Sequence, residues 1–208
     1  MALRIIITVV VAYLLGNVNG AILVSRVLAH DDVRNHGSGN AGLTNFFRNY
    51  GGLRSLLVIG IDCVKAVAAC LLGQFLLAPL GYSLEGAAIG AVAVGIGHDF
   101  PALLNFKGGK GILSGFACSW VLDWRVALVT FFVFATVYLL TKYVSLSSIL
   151  GATTLAVSFA LWNWDRPWAV VCCTIMCVLA IVLHHENIGR LLKGNERKTY
   201  FFSTEKKK

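Results

Sequence analysis

The sequence predicts an all-α integral membrane protein of about seven transmembrane helices, some short or broken. Three observations carry that prediction: a shortage of charge, apolar runs of membrane-spanning length, and a one-sided distribution of basic residues. Of the 208 residues, 57% are hydrophobic and only 13% charged, and the mean hydropathy is +0.74. A soluble domain of this size carries about a quarter charged residues, so the deficit points to a lipid solvent. The net charge of +8 fits an anionic membrane surface better than nucleic acid, given the apolar bulk.

A helix needs roughly 20 mostly apolar residues to cross the hydrocarbon. Ile5 to Val27 qualifies, with Asn17 and Asn19 inside it. A single Arg4 precedes this run and no small-residue cleavage site follows, so it reads as a span rather than a signal peptide. Leu53 to Leu77 also qualifies and carries Asp62 and Lys65 three apart on one helical face, an expected structural ion-pair tether. Leu84 to Ile96 is shorter and glycine-rich. Ile112 to Leu122 is too short to span unless the glycines before it join the helix. Val126 to Thr141, Leu146 to Trp162 and Trp168 to Leu183 complete the set. The six cysteines lie in apolar stretches without metal-ligand spacing and read as packing groups. Residues 1–208 are expected to form one membrane domain.

Alternating the spans places seven loop residues (Arg26, Arg34, Arg48, Arg54, Lys107, Lys110, Lys142) on one face. Seven C-terminal residues join them: Arg190, Lys193, Arg197, Lys198 and Lys206 to Lys208. The opposite face holds Arg4, Arg125 and Arg166. By the positive-inside rule the basic face is cytoplasmic, with the N-terminus outside and the C-terminus inside.

Three polar, glycine-bearing stretches share that face: 35–52, 97–115 and 184–198. In the first, Gly37, Gly39 and Gly42 have the G-x-G-x-x-G spacing of a dinucleotide turn. That reading needs a preceding strand and an acidic ribose ligand about 20 residues on, and here a membrane helix follows. The glycines instead let backbone N–H groups converge on an anion. Ser38, Asn40, Thr44 and Asn45 add neutral polar groups, and Arg48 offers a forked phosphate ligand. In the second, Lys107, Gly108, Gly109, Lys110 and Gly111 run directly into an apolar helix, whose N-terminus favours an anion. This is no Walker loop, because Gly111 stands where Ser or Thr is required. In the third, His184 and Asn187 fall on one helical face, with Glu186, Arg190 and Glu196 nearby.

Two phosphate-type sites beside a bilayer suggest a lipid-headgroup enzyme or, as the alternative class, a transporter of small phosphorylated anions. No His is followed five positions later by Asp, and no G-x-S-x-G elbow is present, which excludes two enzyme classes. The motifs Gly37 to Arg48 (G-S-G-N-x-G-x-T-N-x-x-R), Gly97 to Pro101 with Phe106 to Gly111, His184 to Leu191 and Gly194 to Glu196 resemble those of one family. It is the bacterial acyl-phosphate:glycerol-3-phosphate acyltransferase family of the inner membrane. Asp62 to Lys65 and Tyr143 to Ser148 match its secondary signatures.

The resemblance implies transfer of a fatty acyl group from acyl-phosphate to the 1-hydroxyl of glycerol-3-phosphate, giving lysophosphatidic acid for phospholipid synthesis. It places the phosphate-contacting and catalytic roles on Ser38, Arg48, Lys110, His184 and Asn187. Substrate-binding roles fall on Gly37, Gly39, Asn40, Thr44, Asn45, Lys107, Gly108, Gly109 and Gly111. Expected partners are the two substrates and membrane lipid, with no nucleic acid, metal or cofactor. His184 is a candidate proton acceptor, but the family picture assigns the proton to the donor's own phosphate. The sequence departs from the usual pattern at Ile112, Leu113 and Ser114, at Ala66, at Asn195, and at Asn17 and Asn19.

Overall fold

The computed structural model describes residues 1–201, so Lys206 to Lys208 of the C-terminal basic cluster lie outside the described residues. Among the described residues there are ten α-helices and no strand. Helices α1 (Ala2–Gly16) and α2 (Gly20–Ala29) are one apolar stretch interrupted at the two asparagines. Asn19 causes the restart, its side chain accepting the Ile22 N–H at 3.0 Å as an N-cap. The short amphipathic α3 (Leu43–Tyr50) leads into α4 (Gly52–Leu77), and α5 is Ser83–Asp99. Then come α6 (Ile112–Leu122), α7 (Trp124–Thr141), α8 (Val144–Trp162), α9 (Pro167–Val182) and the surface helix α10 (His185–Leu192).

Five stretches are long and apolar enough to cross a membrane: 2–29, 52–80, 83–104, 124–141 and 144–162. A sixth arises if α9 and α10, bent by 53° at His184, count as one. The protein is therefore an all-α, multi-pass integral membrane protein. The seventh expected span is the short α6. Its 11 residues reach only about 17 Å at 1.5 Å each, well short of the hydrocarbon thickness. Gly111 does not extend it, because it stands as the N-cap at φ 66°. Helix α5, by contrast, runs past the predicted Ile96 and carries His98 and Asp99 on its last turn.

Helices α1, α4 and α5 form the tightest part of the bundle. Gly73 on α4 meets Gly86 on α5, where a Cβ on either would lie 2.7 Å from the other's carbonyl carbon. Such backbone approach is how membrane helices gain packing without a hydrophobic driving force. The main core joins α1, α4, α5, α6, α7, α8 and α9 through small residues and Val126, Phe159, Leu155 and Met176. A second, smaller core of Ile22, Val24, Val33, Phe46 and Val58 fixes α3 against α2 and α4.

The expected tether is present. Lys65 Nζ lies 2.8 Å from Asp62 Oδ1, both side chains buried. Lys65 also donates to the Val18 carbonyl at 2.6 Å, and the Gly20 N–H donates to Asp62 at 3.1 Å. The pair thus takes up backbone groups that the α1–α2 break releases at membrane depth. Lys65 donates a further bond of 2.8 Å to His98 Nδ1, which links the break to the end of α5.

Candidate active site

The Gly37–Gly42 loop leaves a 3-10 turn at Val33–Asn35 and enters α3; with no strand before it, the dinucleotide reading is excluded on structure as well. Gly37 and Gly39 take φ of 61° and 70°, a region closed to most side chains. Asn45 is the loop's internal scaffold. Its Oδ1 accepts the Ser38 N–H at 3.1 Å, and its Nδ2 donates to the carbonyls of Val33, His36 and Asn40 at 3.0–3.1 Å. Asn45 therefore shapes the turn with atoms that are already committed, while the Ser38 side chain stays exposed.

The second loop is stitched to the end of α5. Gly108 and Gly109 donate their N–H groups to the carbonyls of Asp99 and His98, each at 3.1 Å. Those two donors are spent on the protein. The anion-directed donors at this loop are the Lys110 ammonium and the opening N–H groups of α6, which lack intrahelical partners. The Ala41 N–H reaches Gly108 O at 3.3 Å, and Asn19 Nδ2 reaches Ala41 O at 3.0 Å, so the two glycine loops form one unit. Arg34 reinforces it by donating to the carbonyls of Leu104 and Lys107. Lys107 is exposed and does not line the cavity.

The third stretch closes the ring. His184 Nδ1 lies 2.7 Å from the Ala180 carbonyl. A carbonyl only accepts, so Nδ1 carries the proton and Nε2 is the free acceptor. Lys110 donates to Asn187 Oδ1, and Asn187 Nδ2 donates to Glu196 Oε1 at 2.8 Å. Glu196 also accepts from Ser145 Oγ and Arg190 Nε, each at 2.8 Å. Burial disfavours its charge, but bonds from Arg190, Asn187 and Ser145 outweigh this and hold its carboxyl below the usual range. Burial, with Arg190 nearby, pulls the Lys110 ammonium below the ordinary lysine pKa. Burial also lowers that of Arg48, which remains a cation.

These stretches surround a single cavity of about 840 Å³. Every predicted site residue lines it except Lys107. Its polar end holds the first loop, Arg48, Lys110, His184 and Asn187. Its other end, between α6, α7, α8 and α9, is walled by Phe116, Phe131, Phe134, Leu155, Met176 and Leu179. Cations on one part of the lining and hydrocarbon on another suit an amphiphile with an anionic head. Among the described residues no cluster of three or more His, Cys, Asp or Glu side chains has a metal-site arrangement.

The family model described as "Glycerol-3-phosphate acyltransferase" matches residues 6–194. The chain belongs to the glycerol-3-phosphate acyltransferase family. A curated member from Thermoanaerobacter sp. (strain X514) is 37% identical, covering 93% of this chain and 94% of its own. The corresponding protein of Haemophilus influenzae (strain PittEE) is 37% identical over 91% of this chain and 92% of its own. The crystal structure of PlsY (YgiH), an integral membrane glycerol 3-phosphate acyltransferase, in the glycerol 3-phosphate form aligns with a TM-score of 0.85. It is 30% identical, with 94% of this chain and 96% of that one covered. The lysophosphatidic acid form aligns at 0.81 and 28% identity, covering 95% and 96%.

Within this acyltransferase family member, sequence reasoning missed three contributors. Asp99 lines the cavity at 5% exposure, and its Oδ1 has no hydrogen-bond partner among the described residues. An acid at the end of an apolar helix was a legible signal. Ser145 fell inside the Tyr143 to Ser148 signature without a role, and Thr199 had no signal, because each acts through a partner distant in sequence, Glu196 and Arg48 respectively.

Proposed function

We propose that the protein transfers a fatty acyl group from acyl-phosphate to the 1-hydroxyl of glycerol-3-phosphate, forming lysophosphatidic acid for phospholipid synthesis. The reaction takes place at the cytoplasmic face of a bacterial inner membrane. One observation carries the reading: a cavity lined by two cationic side chains, Arg48 and Lys110, together with a largely apolar wall. Glycerol-3-phosphate sits toward Ser38 and Arg48. The acyl-phosphate headgroup sits toward Lys110 and the opening turn of α6, with its chain among Phe116, Phe131 and Phe134. Neutralising two phosphates while aligning hydroxyl and carbonyl supplies most of what this reaction needs. The hydroxyl oxygen attacks the acyl carbon, the bond to the phosphate oxygen breaks, and inorganic phosphate leaves with the proton. His184 Nε2 accepts a hydrogen bond from the hydroxyl and aims it. A carrier of phosphorylated anions would need cationic or donor groups along its whole path, and the lining contributed by α6, α7 and α9 is mainly aromatic and aliphatic, with Thr130 its one polar side chain.

The test incubates purified protein with glycerol-3-phosphate and either palmitoyl-phosphate or palmitoyl-CoA. Lysophosphatidic acid is expected from the acyl-phosphate alone. Product from the thioester at an equal rate would refute the donor, and no product from either would refute the enzyme. Arg48→Ala should lower kcat/KM by about 10²-fold, the worth of charge-assisted phosphate bonds.

A further inference from the structure

We propose that the stretch following the last family motif, residues 197–201, is a working part of the site, and that Thr199 is a positioning residue for Arg48. The proposal rests on Arg48 being a substrate-phosphate ligand. The family model ends at residue 194 and the last motif at Glu196, and residues 197–201 fold back against the site. Thr199 is 4% exposed between exposed neighbours Lys198 and Tyr200. Its N–H donates to the Lys142 carbonyl at 3.0 Å, and its carbonyl accepts from the Tyr138 hydroxyl at 3.1 Å. The same hydroxyl accepts the Phe201 N–H at 3.1 Å. The Phe201 ring packs between Phe47 and Tyr138, at centroid distances of 4.7 and 5.3 Å. This segment is therefore held at both ends, and Arg197 and Phe201 themselves line the cavity.

What it holds is the guanidinium. Arg48 Nε donates to Thr199 Oγ1 at 3.1 Å, and NH2 donates to the Arg197 carbonyl at 3.0 Å and again to Thr199 Oγ1. A guanidinium has five N–H donors in a rigid fork. Three are fixed on the segment, so the plane of the fork is set before substrate arrives, and among the described residues the NH1 pair is left for an anion. An unbraced arginine would have to freeze its long side chain on binding, so the brace lowers the cost of gripping the phosphate. The segment is anchored to α3 through Phe47 and to α7 through Tyr138, the walls of the site. That placement favours a fixed brace over a latch that must lift.

The experiment measures KM for glycerol-3-phosphate and kcat in the full-length protein. Thr199→Val should raise KM about tenfold and change kcat little, while Thr199→Ser restores wild-type values. Tyr138→Phe, which loosens the segment without touching Arg48, should shift KM in the same direction by less. In the Arg48→Ala background Thr199→Val should add nothing, because the two act as one unit. Wild-type KM in Thr199→Val beside an impaired Arg48→Ala would overturn the brace alone. Higher activity in Thr199→Val would show the segment to be an inhibitor and overturn it too. Additive effects of the two substitutions would reduce it to a separate structural contact. Full turnover by Arg48→Ala would overturn the site reading and the brace together.

Discussion

Gly108→Ala tests the claim that the second loop is positioned by the end of α5. Gly108 has no positive φ, so the added methyl acts only through space. Its Cβ would lie 2.7 Å from Pro101 Cδ and 2.8 Å from the Asp99 carbonyl oxygen, and closer still to the His98 carbonyl. Ordinary contact is about 3.5–4.0 Å, so the tightest contact, at the His98 carbonyl, requires at least about 1.5 Å of movement. The obstructing atoms are mostly backbone of a packed helix, so the loop moves instead. It then loses the bonds from Gly108 N to Asp99 and Gly109 N to His98, about 1 kcal/mol each. Displacing Lys110 by a similar distance costs on the order of 10²-fold in rate. The expected outcome is therefore a loss of about 2 kcal/mol in thermal unfolding and about 10²-fold in kcat/KM for acyl transfer. Gly60→Ala and Gly189→Ala, helical positions where an added Cβ meets nothing within 4 Å, should leave the kinetics unchanged and lower stability in neither case. Wild-type kinetics in Gly108→Ala would refute the positioning argument.

Two further perturbations probe the charges. Lys110 must be protonated to hold an anion, and its pKa is lowered by burial and by Arg190. The alkaline limb of kcat/KM should therefore fall as pH rises toward, but before, the ordinary lysine value near 10.4. Lys110→Arg should move that limb upward, and a limb unmoved by this substitution would rule out Lys110 as its source. Asp62→Asn strips the buried Lys65 ammonium of its counter-ion, which is expected to cost about 3–5 kcal/mol, read as a lowered melting temperature in detergent. The double variant Asp62→Leu with Lys65→Met should recover part of that loss; a double variant less stable than the single would contradict the account.

Much of this was legible in the sequence because membrane helices and charge placement are local properties. The apolar runs located the helices, and Asp62 and Lys65, one turn apart, announced their own pairing. The three motif stretches could be assigned to one cavity because topology brought them to one face. What escaped depends on partners far along the chain. Nothing in the sequence says that the Gly108 and Gly109 N–H groups are spent on α5 carbonyls, or that Asn45 turns inward to shape its own loop. Lys107 and Lys110 look equivalent in "KGGKG", yet only the second faces the cavity. Arg48 and Thr199 lie 151 residues apart, beyond the reach of any periodicity.

The Asp62–Lys65 pair also bears on how the chain enters the bilayer. Because both charges sit on α4, three residues apart, they neutralise each other within that one helix, without a partner from another. An insertion apparatus then meets a compact dipole instead of two separate ions, at a much smaller transfer cost. Where α4 packs against α1 and α2, the same ammonium donates to their freed carbonyl and the carboxylate accepts their freed N–H. The ion pair thus serves as a docking socket carried ready-made into the membrane, and it gives the interrupted first span a defined place to stop.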